Sequence, residues 1–331
     1  MDSPLARRMM TIPGLLAAFI VTTALLPLLI LIGVAVDVVL GLARRRRWVT
    51  WRLVLLAWVY LLGEVWAVVA LAIVGLLPSR QSLDLTYRLQ EVWAGWNLTT
   101  ITALFQLEFA VESDDVVTPG PIVLLARHAS LIDSLLPAEL VTKRHGVRLR
   151  YVLKKELLVD PALDLAGNRL PNVFVDRESA DSARERNAIR DLVSDLGQDE
   201  GVLIFPEGTR YSEAKRVRYV RRLQAEGGSL GELAGGLRKV LPPRPGGTLA
   251  LLDATTADVV VMAHRGLEGF ATVKDMFSGE LVGRAVTAAF WRIPRESIPA
   301  ERSERVEWLF EQWAAVDDWV ADGVRPGLAG L

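Results

Sequence analysis

The sequence predicts a layered α/β domain with a mainly parallel central sheet, preceded by an N-terminal helical hairpin embedded in membrane. Three observations carry this. No charged residue falls between Arg8 and Asp37, a longer apolar run than the roughly 20 residues that a bilayer core requires. Past residue 120, short apolar runs alternate with polar, glycine-bearing loops and helical stretches, the pattern of buried strands joined by helices. The 331-residue chain also has a positive mean hydropathy, so part of it faces something other than water.

The first apolar run is too long for a cleaved secretory signal and is followed by arginines, which marks it as a retained anchor. A second run spans Leu53 to Leu77 and is interrupted by Glu64 near its centre. Arg7 and Arg8 precede the first run, and Arg44 to Arg47 with Arg52 separate the two. Positive charge at both places is a cytoplasmic signature. Two full spans would put the two clusters on opposite sides; a hairpin dipping into one leaflet keeps them together, and Pro27 and Glu64 suit helices that do not fully cross. The hairpin is the expected arrangement, with the arginines beside anionic headgroups.

Pro78, Ser79 and Arg80 end the apolar region, giving an anchor over 1–80 and a folded domain over 81–331. From Leu83 to Val111 apolar residues recur at helical spacing, predicting an amphipathic helix that either lies on the membrane surface or packs on the core. Buried strands are expected over Pro121–Ala126, Leu149–Leu153, Asn172–Val175, Gly201–Phe205 and Ala257–Met262, with a helix over 181–196 and an amphipathic tail from Ser303 to Asp322. Ligands in such folds sit beyond the carboxyl ends of strands. The residues just past each strand therefore carry the chemistry.

Composition removes several function classes. With 38 basic against 39 acidic residues there is no global electrostatic case for a nucleic-acid partner. No cysteine occurs, which excludes disulfides, thiolate metal sites and a cysteine nucleophile. The histidines are His128, His145 and His264, and a general base is sought among them.

After the first strand comes Arg127-His-Ala-Ser-Leu-Ile-Asp133. An Asp that accepts the proton of one ring nitrogen fixes the tautomer and leaves the other to take a proton from a hydroxyl; taken alone, the pair equally suits a helix cap. After the fourth strand comes Phe205-Pro-Glu-Gly-Thr-Arg210, six residues whose order is far more specific. Gly208 permits close backbone approach, Thr209 and Arg210 are donors suited to phosphate, and Glu207 is placed to hold the arginine or a substrate hydroxyl. Between them, Arg177 ends a strand as either a second phosphate anchor or half of a surface ion pair. His145 reads as a surface residue, and His264 as a reserve base at a core or rim position. Lys215, Arg216, Arg218, Arg221 and Arg222 form a basic cluster that is either a solvated helix face or a site for phosphates or headgroups.

Together these elements resemble the glycerophospholipid acyltransferase family, typified by 1-acylglycerol-3-phosphate acyltransferases, from about residue 85 onward. Its first motif matches His128 and Asp133, its third matches Phe205 to Arg210, and its second is similar to the run from Lys155 through Pro161 and Gly167 to Asp176-Arg177, all in the family's order. The stretches Leu241–Gly247, Leu252–Ala254 and Ile293–Pro299, with Trp308, Leu309 and Trp313, resemble the branch that includes lysocardiolipin acyltransferases. Two departures stand out: Arg127 replaces the usual asparagine before the histidine, and Val259–Met262 lacks the proline of the fourth motif. The extra cation at 127 either binds a substrate phosphate or pairs with a carboxylate.

The resemblance implies direct transfer of an acyl chain from acyl-CoA or acyl carrier protein to the free hydroxyl of 1-acylglycerol-3-phosphate, giving phosphatidic acid. His128 and Asp133 would be catalytic, and Arg127, Arg177, Glu207, Gly208, Thr209 and Arg210 would bind substrate, with acyl-CoA as substrate and neither a cofactor nor a metal required. The expected partners are membrane lipid, a lysophospholipid acceptor and the acyl donor, with the catalytic domain on the cytoplasmic face, where acyl-CoA is found. A remodelling acyltransferase acting on lysophosphatidylglycerol or lysocardiolipin is the alternative. A membrane-anchored metal-dependent hydrolase using His128, Asp133 and Asp176 is a third reading.

Overall fold

A computed structural model describes residues 3–44, 47–176 and 182–323. Helices α1 (Pro4–Arg44) and α2 (Thr50–Val74) form the hairpin, and each is long and apolar enough to cross a membrane. Neither Pro13 nor Pro27 ends α1. Asp37, whose charge closes the first apolar run, turns inward instead of facing lipid: its carboxylate accepts from the main-chain N–H groups of Thr50 at 2.9 Å and Trp51 at 3.1 Å, covering orphan donors at the start of α2. Glu64 is also buried, accepting from the Trp93 indole Nε1 at 2.9 Å, so it joins α2 to the next helix. The large apolar side chains left exposed along α1, among them Ile20, Leu28 and Leu31, place the hairpin in lipid.

The rest of the chain runs α3 (Ser79–Phe105), β1 (Glu108–Glu112), β2 (Ile122–Ala126), α4 (Leu135–Pro137), β3 (Arg148–Lys154), α5 (Pro161–Gly167), β4 (Val173–Val175), α6 (Ser182–Asp191), β5 (Glu200–Ile204), α7 (Glu213–Glu226), α8 (Ser229–Gly236), α9 (Pro245–Ala254), β6 (Asp258–Arg265), α10 (Val273–Met276), β7 (Ala285–Ile293) and α11 (Arg302–Asp322). The sheet order is β1-β7-β6-β2-β5-β3-β4. All neighbours are parallel except β6 and β7. Strand β2 is buried throughout, and its pleat splits it between two cores: Ile122, Leu124 and Ala126 pack with Phe105 and Leu136 on one face, Val123 and Leu125 with Leu249 and Trp313 on the other. A mixed, mostly parallel sheet between helical layers follows from that double burial.

Each of the five expected strands is present, and the tail helix lies where its periodicity puts it. The helix expected from Leu83 to Val111 is shorter: α3 ends at Phe105, Gln106 takes a left-handed conformation (φ 55°), and 108–112 pairs as a strand with β7. Strand β7 itself carries no alternation signal in Ala285-Val-Thr-Ala-Ala-Phe-Trp-Arg-Ile293. It exists because β6 and β1 flank it, a relation between segments far apart in the chain.

Register fixes the site. Ile122 pairs with Gly201 and with Asp258, so β2, β5 and β6 run together and end at one edge. His128 and Phe205–Arg210, which follow β2 and β5, and His264, near the end of β6, are thereby brought together at the carboxyl edge of the sheet.

Candidate active site

The turn after β2 is built around one carboxylate. Asp133 Oδ2 accepts from the main-chain N–H of Ala129 at 2.5 Å and of Ser130 at 2.7 Å, closing the loop, and faces His128 Nδ1 at 3.1 Å. With its proton on Nδ1, the His128 ring keeps its basic lone pair on Nε2. The Phe205 ring lies against the imidazole, with centroids 4.5 Å apart and planes tilted by 31°, which limits the ring's orientation. His128 keeps 23 % of its side-chain surface exposed while Asp133 has none: the imidazole reaches the surface and its partner does not.

Asp133 has a second imidazole that short-range spacing could not reveal. His264 Nε2, buried at the end of β6, lies 3.2 Å from Asp133 Oδ1 and 3.2 Å from the Arg127 carbonyl oxygen. The carbonyl takes the hydrogen bond, and the approach to Oδ1 is an electrostatic contact. Burial by itself would push the Asp133 carboxyl up; His264 and His128 outweigh it and hold the group well below the usual carboxylate range. The signal was available in the sequence as a histidine ending a strand, but its use required knowing that β6 neighbours β2.

Two expected substrate contacts are corrected by the structure. Arg127 is 1 % exposed and faces inward, donating to Glu268 Oε1 at 2.8 Å and to the carbonyl oxygens of His264 at 2.6 Å and Lys239 at 2.9 Å. Of the two readings of that cation, the paired one holds, and its fork ties β2 to β6. Glu207 is likewise without exposed surface: Oε1 accepts from the main-chain N–H of His128 at 2.7 Å and Oε2 from that of Leu241 at 3.0 Å. It therefore ties the turn after β2 to the Leu241 loop, and burial pushes its carboxyl up to about 7 against the pull of Arg127 and of those two donors.

Of the remaining motif residues, Gly208 is buried and Thr209 and Arg210 are half-buried. Gly208 has φ 69°, a conformation that favours glycine, and its N–H donates to Phe205 O at 2.9 Å to close a tight turn. Tyr211 N–H donates to His128 O at 2.8 Å, a second strut between the two motifs. Lys215, from the first turn of α7, donates to Thr209 Oγ1 and to Arg210 O, both at 3.0 Å, which puts a cation beside Thr209 and Arg210. Arg177 lies outside the described residues. His145 sits beside Asp114, 3.2 Å away on a different loop. Among the described residues no three His, Cys, Asp or Glu side chains are grouped as a metal site would require.

A base fixed by a buried carboxylate, next to a glycine turn with cationic donors, is equipped to deprotonate a hydroxyl on a phosphate-bearing substrate. The chain matches the family model described as Acyltransferase over residues 108–265. It is 24% identical over 274 residues to 1-acyl-sn-glycerol-3-phosphate acyltransferase epsilon of Mus musculus, an alignment covering 80% of this chain and 72% of that protein. Its fold is similar to the crystal structure of the 1-acyl-sn-glycerophosphate (LPA) acyltransferase PlsC from Thermotoga maritima, with a TM-score of 0.50 and 15% identity over 80% of this chain and 94% of that one.

Proposed function

We propose that the chain transfers a fatty acyl group from acyl-CoA or acyl carrier protein to the free hydroxyl of 1-acylglycerol-3-phosphate, giving phosphatidic acid. The observation that carries this reading is the His128–Asp133 pair at 3.1 Å beside a loop that holds Arg210, with Lys215 of α7 against it, a base next to cations suited to a phosphomonoester.

In this reading His128 Nε2 takes the proton of the acceptor hydroxyl, and the oxygen attacks the thioester carbonyl. The tetrahedral intermediate collapses with cleavage of the C–S bond, and the imidazolium returns its proton to the departing thiolate. Asp133 stabilises the transient charge on the imidazole. A thioester is already activated, so no covalent acyl-enzyme step is called for. The amide of Gly208 is engaged by Phe205 O, so the main-chain N–H groups of Thr209 and Arg210 are the proposed oxyanion donors.

The hairpin supports a catalytic domain lying on one membrane face, the cytoplasmic one by the arginine rule. Arg7 and Arg8, at the start of α1, both bind Asp164 of α5, at 2.6 and 3.0 Å. At the other end, Arg52 binds the carbonyl oxygen of Leu104 in α3, and Val49 packs into the domain core. Both ends of the hairpin thus touch the globular domain, as one-leaflet insertion requires. On this reading residues 1–80 are the anchor and 81–331 the acyltransferase domain.

The test is thiol release by the purified full chain in lipid, with acyl-CoA and acyl carrier protein thioesters against a panel of lysophospholipids. Turnover highest on 1-acylglycerol-3-phosphate supports the proposal. Turnover confined to lysophosphatidylglycerol or lysocardiolipin, or none with any pair, overturns it.

A further inference from the structure

Beyond the motif loop, α7 carries a second cationic feature. Arg218 and Arg244 converge on Tyr219: their guanidinium carbons lie 5.0 and 5.4 Å from the ring centroid, and both donate to its phenol oxygen, at 3.4 and 3.0 Å. Two like charges sharing one neutral oxygen repel each other. Among the described residues neither meets a carboxylate, whereas their neighbours Arg216 and Arg222 pair with Glu213 and Glu226. The feature is built onto the site, because Arg244 N–H donates to the carbonyl oxygen of Pro206, inside the motif, at 2.8 Å. Lys215 links the two: its ammonium is held below its ordinary range by burial first and, against the opposing pull of Tyr219, by the charges of Arg210, Lys154 and Arg218. A cationic track without counter-ions, ordered by a tyrosine, is stabilised by a bound polyanion.

We propose that Arg218, Tyr219 and Arg244 form a clamp for the terminal phosphomonoester of a CoA thioester donor, separate from the Arg210 and Lys215 cations that face the acceptor phosphate. The inference rests on the acyltransferase reading and names its donor. A dianionic phosphomonoester satisfies two guanidinium forks at once, and CoA carries one, its 3′-phosphate, at the far end of a long arm from the thioester. The prosthetic arm of an acyl carrier protein has only a phosphodiester. The clamp stands roughly 9 Å along α7 from Glu213, at 1.5 Å per residue, beyond the end of the phosphate motif.

The test is a binding titration of the full chain in lipid nanodiscs with CoA and with dephospho-CoA, which lacks the 3′-phosphate. CoA should bind about tenfold more tightly, as loss of a charge-assisted contact implies. In the double variant Arg218→Gln/Arg244→Gln, two exposed positions, that preference should vanish while dephospho-CoA affinity stays. Tyr219→Phe, which keeps the ring and removes the shared oxygen, should lose part of it. Equal affinities in the unsubstituted chain overturn the clamp, and so does a double variant that still discriminates. An effect on acceptor KM or vesicle binding alone reassigns the patch to lipid headgroups, and turnover confined to acyl carrier protein thioesters reassigns it to an acidic protein; either outcome overturns it too. Binding needs no turnover, so failure of the clamp is separable from failure of the proposed activity.

Discussion

Asp133 and His264 lie 3.2 Å apart, carboxylate Oδ1 to imidazole Nε2, with neither side chain exposed. The aspartate that faces the His128 ring is thus itself flanked by a second imidazole from a neighbouring strand. Removing that imidazole as His264→Phe should lower kcat about 10- to 100-fold while the acceptor KM changes little, because geometry and not binding is lost. His264→Asn, which restores an N–H, should recover part of the loss. Unchanged kcat in His264→Phe would show that the Ala129 and Ser130 amides suffice to fix Asp133.

His128→Ala should abolish turnover with folding and membrane attachment retained, as read by thermal melting and vesicle flotation. Asp133→Asn should cost about a thousandfold or more in kcat, since an amide neither stabilises the imidazolium nor enforces its tautomer. An active His128→Ala enzyme would mean that the base lies elsewhere.

Glu207→Gln gives a pH signature. The Glu207 carboxyl is raised to about 7 in the fold, so its contribution to stability is full below its unfolded value near 4.5 and is lost as pH rises through 7. Glutamine cannot ionise, and it sets an NH2 group against one of the two main-chain donors, costing about 1–3 kcal/mol. Melting at pH 5 and pH 8 should show the variant well below the parent at pH 5, with a narrower gap at pH 8. A gap that is equal at both values would argue against a buried, protonatable Glu207.

The hairpin can be tested by thiol labelling, because the chain contains no cysteine. Ser3→Cys and Trp48→Cys, introduced singly, should both react with an impermeant reagent from the side on which a control at the exposed Glu226→Cys reacts. Labelling of positions 3 and 48 from opposite sides would establish two full spans instead.

The sequence by itself determined what is encoded locally: the apolar runs, the five buried strands, the His128–Asp133 spacing and the six-residue loop from Phe205 to Arg210. Each depends on residues a few positions apart, where periodicity and turn chemistry act directly. Tertiary structure decided the rest. Strand β1 forms because it pairs with β7, and β7 because β1 and β6 flank it. Arg127 and Glu207 face inward because β6 and the Leu241 loop close over them. His264 meets Asp133 because β6 lies beside β2 in parallel register. A buried charge takes whatever partner the packing brings within about 3 Å, since leaving it unpaired costs several kcal/mol, and that partner is chosen by sheet order, which no short stretch of sequence contains.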